Sequence, residues 1–261
     1  MPITFKRAGQ EAVTLENVSF KGVALDKVTF KRAGQEAVTV FEKAAMPVKG
    51  DIITLDAKQY RVLKVNGSVA EVLCMYDANQ IKFGNNNTYA EKNIDTYCNN
   101  TFYSGLSAAM KSAIVDKTFT QDSWTRGNSV PTQPHYTGKA SSSTYDLTYY
   151  LTLDNAAFKP SITRHCYCLS VQDVLDYLEA TTYMGISDTT LTNPNVWKMF
   201  WNVTESQSSK TIWLRSARTS NIGDVFYVDG FSGQVDLSNV ANSEGVRPAF
   251  QIDLSKISWS K

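Results

Sequence analysis

The chain has 261 residues, 43% of them hydrophobic, which allows one domain of ordinary size with a real core, plus an appendage. Its formal net charge of +1 gives no general electrostatic case for binding nucleic acid, and no apolar run approaches the roughly 20 residues that membrane insertion by a helix needs. The opening MPITFKRAGQEAV has no apolar signal-peptide core, so synthesis in a cytoplasm is expected, with later display on a virion tail or a cell surface left open.

An internal repeat comes first. TFKRAGQEAVT occurs at residues 4–14 and again at 29–39, and between the copies the pattern runs on in five-residue units, VTLEN, VSFKG, VALDK and VTFKR. Val13, Val18, Val23 and Val28 each stand two before another apolar residue: Leu15, Phe20, Leu25 and Phe30. This resembles pentapeptide-repeat proteins, whose short units form the sides of a square β-solenoid. So short a segment cannot bury much alone. It is expected either to associate with copies of itself, a trimer being favoured, or to lie as a β-meander on the main domain. Residues 1–45 are therefore read as a β-repeat oligomerisation or attachment segment, and residues 46–261 as the main domain. Pro47 and Gly50 punctuate the junction.

Two probable strands follow, DIITLDAKQYRVLKV and SVAEVLCMYDA, with Asn66-Gly67 between them as a hairpin signal. Residues 93–117 read as two helices. Ile94, Tyr97, Cys98 and Phe102 share one face of the first; Leu106, Met110 and Ile114 line the second, with Ser107 as its cap. Residues 120–146 are long, polar and rich in Pro, Gly and Ser. Residues 170–180 are the clearest helix: Ser170 caps it, Asp173 stands three residues on, and Val171, Val174, Leu175 and Leu178 form its apolar face. Trp197, Phe200 and Trp201 have the spacing of one helical face, either core or ligand-stacking.

The four cysteines are Cys74, Cys98, Cys166 and Cys168, too few for a disulfide scaffold. Cys166 and Cys168 would share a face on a strand. With His165 and His135 they raise zinc, but C-x-C lacks the usual spacing and a second ligand pair; buried thiols are the preferred reading. No calcium-type acidic cluster is present, and no cofactor is expected. No catalytic motif of the common hydrolase, P-loop, zinc-protease or dinucleotide kinds occurs, and no enzyme activity is expected.

The last stretch, residues 211–254, has two apolar ends, TIWLRSA and GVRPAFQIDL. Gly223, Gly230 and Gly233 mark turns between them. The rest of the interval mixes small, polar and aromatic residues, as binding surfaces do, although a solvated set of hairpins would look the same. Val225, Val228 and Val235 read as inward anchors. Arg218, Ser220, Asn221, Asp224, Phe226, Tyr227, Asp229, Phe231, Asp236, Ser238, Asn239, Asn242 and Ser243 are the candidate ligand-binding residues, with Phe226, Tyr227 and Phe231 as aromatic hot spots. Arg215 and Arg247, inside apolar strands, are expected to be buried and hydrogen-bonded.

The frame W-L-R-S at 213–216 with G-V-R-P-A-F at 245–250 resembles the end of C-type-lectin-fold domains of the formylglycine-generating-enzyme-like type. More narrowly, it is similar to a bacterial and phage family that ends in WLRS followed by GVRPA, whose members serve as variable proteins of diversity-generating retroelements. The resemblance runs over roughly residues 50–254, and its specific part is the C-terminal frame. It implies an α+β C-type lectin fold with small antiparallel sheets and two to three helices after the β-repeat segment. It also implies a variable surface, held between the two fixed ends, that binds a protein or glycan receptor on a target cell. A structural virion or surface protein is the alternative. The formylglycine-generating oxidase activity is not carried over: those enzymes hold copper with a cysteine pair late in the domain, and the last cysteine here is Cys168.

Overall fold

The computed structural model describes residues 3–5, 13–15, 19–20, 23–24, 27–30, 38–42, 45–76, 79–126, 144–146, 151–154, 160–178, 183–185, 199–200, 211–229 and 234–261. The chain divides into two compact units, Met1–Met46 and Pro47–Lys261. Among the described residues it is mixed α+β and mostly β.

The first unit contains β1 (Ile3–Phe5), β2 (Val13–Leu15), β3 (Ser19–Phe20), β4 (Val23–Ala24), β5 (Lys27–Phe30) and β6 (Val38–Glu42). They pair antiparallel as β1 with β2, β3 with β4 and β5 with β6. Each copy of the eleven-residue repeat closes one such pair in the same register: Thr4 faces Thr14 and Phe5 faces Val13, as Thr29 faces Thr39 and Phe30 faces Val38. Identical sequence thus yields identical strand pairing, and among the described residues that pairing is antiparallel rather than that of parallel solenoid coils.

The second unit begins with β7 (Ile52–Leu55), β8 (Lys58–Asn66), β9 (Val69–Cys74) and β10 (Gln80–Lys82). The Asn66-Gly67 signal makes the β8–β9 hairpin, with Gly67 at φ 60°. The segment 51–65, expected as one strand, is two. Asp56 and Ala57 turn it back at φ 52° and 62°, a left-handed turn that Ala gives no reason to expect. Next come α1 (Asn93–Thr96), a π-helical turn over Tyr97–Phe102, and α2 (Ala108–Ala113), where the Ser107 hydroxyl accepts the Met110 N–H at 3.2 Å. The second helix ends earlier than its apolar spacing suggests. Ile114 and Val115 leave it to form β11 (Ile114–Val115), pairing with Ile252 and Gln251.

There follow β12 (Lys117–Thr120), β13 (Ser123–Arg126), β14 (Thr144–Asp146), β15 (Leu151–Leu153) and β16 (Ser161–Arg164), then α3 (Val171–Leu178) and β17 (Tyr183–Gly185). At the start of α3, Ser170 and Asp173 exchange backbone-to-side-chain bonds of 2.8 and 3.0 Å, a reciprocal cap. Val171, Val174 and Leu175 are buried, as are Met199 and Phe200. Trp197, Trp201, His135, the Leu178 side chain and most of 120–146 lie outside the described residues. The C-terminal elements are β18 (Thr211–Arg218), β19 (Asp224–Asp229), β20 (Gln234–Asn239), β21 (Ser243–Gly245) and β22 (Ala249–Asp253).

Two sheets organise this unit. One is five-stranded, in the order β11-β22-β9-β8-β7. The other runs β10-β21-β18-β13-β15, with β19 and β20 continuing from β18, and its β13–β18 and β18–β21 pairs are parallel. Of the two apolar ends of the C-terminal stretch, the first is β18 in the second sheet, and the other starts there, with Gly245 facing Ile212, and then crosses to the five-stranded sheet as β22. Both sheets are dense: Trp213, Leu214, Phe226 and Phe250 are among the buried side chains. Cys166 and Cys168 follow β16 rather than lie within it, and all four cysteines are buried free thiols.

Arg215 and Arg247 are buried, at 4% and 3% exposure. Arg247 donates through Nη1 to the Phe200 carbonyl. Arg215 donates through Nη1 to Cys168 O at 2.6 Å and to Asp173 Oδ2 at 2.5 Å, and its guanidinium lies 4.3 Å from the Phe119 ring centre. Burial alone would raise the Asp173 carboxyl, but Arg215, Lys117 and the Ser170 N–H hold it well below the ordinary carboxylate range.

Arg215→Ala should cost about 3–5 kcal/mol in urea unfolding, because it removes the nearest cationic partner of a shielded carboxylate and empties a packed, hydrogen-bonded site. The same pair sets an acid limit. With Asp173 depressed in the folded state, its contribution is fully present above the unfolded carboxylate pKa near 4 and is lost as pH falls below it. Asp122, pushed up by burial, acts in the opposite sense and cannot cause that loss. Asp173→Asn should therefore flatten the fall in melting temperature below about pH 4.

Candidate functional site

The C-terminal interval folds with β19 against β18 and β20 against β19, with one turn between β18 and β19 and another after β20. Asp224 through Asp229 pair with Asn239 through Gln234, and Trp213 faces Tyr227. The first turn, residues 218–224, is cross-braced by its own side chains. Arg218 Nη1 and Asn221 Nδ2 both donate to Asp224 Oδ2, at 2.7 and 2.9 Å. Arg218 Nε reaches Ser220 Oγ at 3.1 Å, and Asn221 Oδ1 accepts the Gly223 N–H at 2.9 Å. A Cβ on Gly223 would stand 3.3 Å from that same oxygen, so the turn is tight where the glycine sits.

A residue from far upstream pins the turn from below. Asn87, 4% exposed, directs its Nδ2 at the carbonyls of Arg218, Asn221 and Asp224, at 2.9, 3.0 and 3.1 Å, and its N–H at the carbonyl of Ile222, at 2.9 Å. All four acceptors are main-chain atoms. Gln121 locks Asn87 in turn, donating through Nε2 to Asn87 O and to Arg215 O, each at 2.7 Å.

The second turn, residues 239–242, lies alongside the first, since Val240 N donates to Gly223 O at 2.9 Å. Ser220, Asn221, Asn239, Asn242 and Ser243 are exposed. Ile222 between them is 73% exposed. The structure thus brings Arg218, Ser220, Asn221, Asp224, Asn239 and Asn242 into one edge. Asn242 Nδ2 links that edge to the sheet, donating to Ser238 Oγ at 3.0 Å.

Along the sheet, Tyr227, Asp229 and Asp236 are half-buried, and Ser238 donates to Glu244 Oε1 at 3.1 Å while Thr211 donates to Glu244 Oε2. Burial, with Asp229 nearby, raises the Glu244 carboxyl, and the Ser238 bond works against that rise. Phe231 lies outside the described residues.

Two assignments change. Phe226 is fully buried and Ser238 is 9% exposed, so neither points outward. Val225, Val228 and Val235 are buried as expected, yet the alternation on β19 is not one-sided: neighbouring Val225 and Phe226 are both covered. Ser238 faces Val225 across the strands and shares its shielded side. Sequence reasoning missed Ile222, Glu244 and Asn87. The signal for Ile222 was a lone aliphatic in a polar turn; for Asn87, a run of three asparagines with no partner nearby in sequence carried no signal.

A cavity of about 510 Å³ lies elsewhere in this unit, lined by Asp95, Asn99, Asp116, Arg164 and His165 among others. It includes none of the candidate residues. Its central charges are already paired, Arg164 with Asp95 at 2.8 Å and His165 Nδ1 with Asp116.

Residues 69–254 match the family described as a domain of unknown function, DUF6273. That span is well over half of the 261 residues. The chain belongs to this family. The matched span starts at β9 and ends just after β22, so it contains both sheets' C-terminal strands and the whole candidate edge. No curated protein and no solved structure matches the chain.

Phe226→Ala should cost about 3–5 kcal/mol, as for a large core aromatic, and so lose folding rather than binding. Asn87→Ala should lower stability by about 1–3 kcal/mol by orphaning shielded carbonyls, and amide hydrogen exchange should localise the loosening to residues 218–224.

Proposed function

We propose that the chain is a ligand-binding protein that displays a variable surface on a C-type-lectin-like scaffold, as a phage tail protein or surface adhesin diversified by a retroelement. The surface is the edge formed by the turns 218–224 and 239–242, with Tyr227, Asp229 and Asp236 beside it. One observation carries the reading: Asn87 holds the first turn through four main-chain carbonyls. A turn gripped by its backbone keeps its shape when exposed side chains change, which a diversified site requires. Ile222 supplies the exposed apolar contact there, a role fitted to a protein or glycan receptor whose own surface is partly apolar. Among the described residues no helix is long and apolar enough to cross a membrane. The N-terminal unit, with its two identically registered strand pairs, serves as the attachment or self-association segment, with a homotrimer favoured.

Two measurements test this. Ile222→Asp combined with Ser220→Arg should leave the melting temperature within the range of ordinary surface changes, about 0.5 kcal/mol, while retention of the full chain on target-cell envelopes falls at least about tenfold. Retention unchanged in that variant would place binding elsewhere. At the gene, the reading requires a neighbouring reverse transcriptase and an imperfect, adenine-substituted copy of the stretch coding for residues 213–250. Absence of both would leave a binding protein without diversification.

A further inference from the structure

We propose that Cys98 and Cys168 are a disulfide-forming pair, a built-in site of oxidative cross-linking in the core. Their sulfurs lie 3.8 Å apart, both fully buried, although the residues are 70 apart in sequence. The contact sits in a zip between two segments. From the α1 and π-helical stretch come Asp95, Cys98 and Asn99. From the end of β16 and the chain that follows it come the alternate residues Arg164, Cys166 and Cys168. Arg164 Nε and Nη2 donate to the Asp95 carboxylate at 2.9 and 2.8 Å. Asn99 grips the backbone of Cys166, donating to its carbonyl at 2.9 Å and accepting its N–H at 3.3 Å. The two segments are therefore aligned next to the thiols before any bond forms.

A disulfide requires the sulfurs to close to about 2.05 Å, so one partner must move. Cys168 is held: its N–H donates to the Tyr89 hydroxyl at 3.0 Å and its carbonyl takes the Arg215 guanidinium at 2.6 Å. Cys98 lies in the π-helical turn, a rare helical geometry frequent at functional sites, and its backbone is not gripped as that of Cys168 is; it is the partner that shifts. Burial pushes the Cys98 thiol above its ordinary range. Reaction then waits on opening of the turn, and the cavity lined by Asp95, Asn99 and Arg164 adjoins the zip on the side from which a small reagent would come.

The oxidant is a small-molecule disulfide. On opening, Cys98 loses its proton and attacks one sulfur of the reagent, releasing one small thiol and forming a mixed disulfide. Cys168 then attacks the Cys98 sulfur and releases the second small thiol. Two protein S–H bonds and one reagent S–S bond are lost, one protein S–S bond is gained, and the reagent leaves reduced as two thiols.

The test treats the folded full chain with excess hydroxyethyl disulfide and follows it by mass spectrometry and peptide mapping. The expected product has lost the mass of two hydrogen atoms, joins the peptides containing Cys98 and Cys168, and melts roughly 10 °C higher. A Cys74→Ala/Cys166→Ala variant should form it equally, and Cys98→Ala should not. Four thiols still free after the helix amides have exchanged, stable single-cysteine adducts, or a Cys74–Cys166 link would each overturn the assignment. The parent chain supplies all three of those outcomes, so the proposal stays falsifiable even if a cysteine variant fails to fold.

Discussion

Arg215 puts a full positive charge inside the fold, and several separate pieces of the chain are arranged to accept it. Its side chain takes Cys168 O and the Asp173 carboxylate and lies over Phe119, while its backbone N–H donates to Leu169 O at 2.8 Å and its carbonyl accepts Gln121. One residue of β18 thereby fixes the chain before α3, the cap of α3, β12 and the residue that locks Asn87. A charge buried without such a set of partners would cost several kcal/mol, so the elements must assemble together. Lys117 joins the same cluster, 2.7 Å from Glu71 on β9 and 3.4 Å from Asp173. Because β9 belongs to the five-stranded sheet and β18 to the other, this charge cluster ties the two sheets together.

The neighbouring residue extends the arrangement. Ser216 donates to Asp122 Oδ1 at 2.7 Å and accepts the Val171 N–H at 2.7 Å, and Trp124 donates to the other Asp122 oxygen at 2.6 Å. The consecutive pair Arg215 and Ser216 thus satisfies both the side-chain cap and the first free amide of α3. Each residue of the WLRS end thus has a duty in the fold: Trp213 donates its indole N–H to Ile81 O at 2.7 Å, Leu214 fills core, and the Arg–Ser pair anchors a helix.

Local chemistry was legible where the signal was local. The Asn66-Gly67 hairpin, the Ser107 cap and the Ser170/Asp173 cap each depend on residues within four positions of one another, and each formed. The buried arginines were also readable, since a charge in an apolar strand has few alternatives. What could not be read came from tertiary pairing. Ile114 fits the spacing of α2, but pairing with Ile252 in β22 takes it into a strand. Phe226 looked outward because one covered face was assumed for β19. Ala57 adopts a left-handed turn against its own preference because β7 and β8 must meet. In the candidate edge the polar turn residues were found by composition alone, whereas Asn87 acts across more than 130 positions, a distance at which sequence pattern carries nothing.

That long reach also separates shape from chemistry in the edge. Asn87 and Gln121 bond only backbone atoms of the turn and of β18 apart from each other's surroundings, so they set the path of the chain without specifying what it displays. The exceptions mark where variation must stop. A Cβ on Gly223 would crowd the Asn221 side chain, and Asp224 gathers the Arg218 and Asn221 donors that brace the turn. Ser220 and Ile222 carry no comparable duty in the fold: one makes a single exposed side-chain bond to Arg218, and the other is exposed. Change at these two positions therefore alters the surface without altering the turn, while change at Asn87, buried beneath it, alters the turn without adding or removing an exposed side chain.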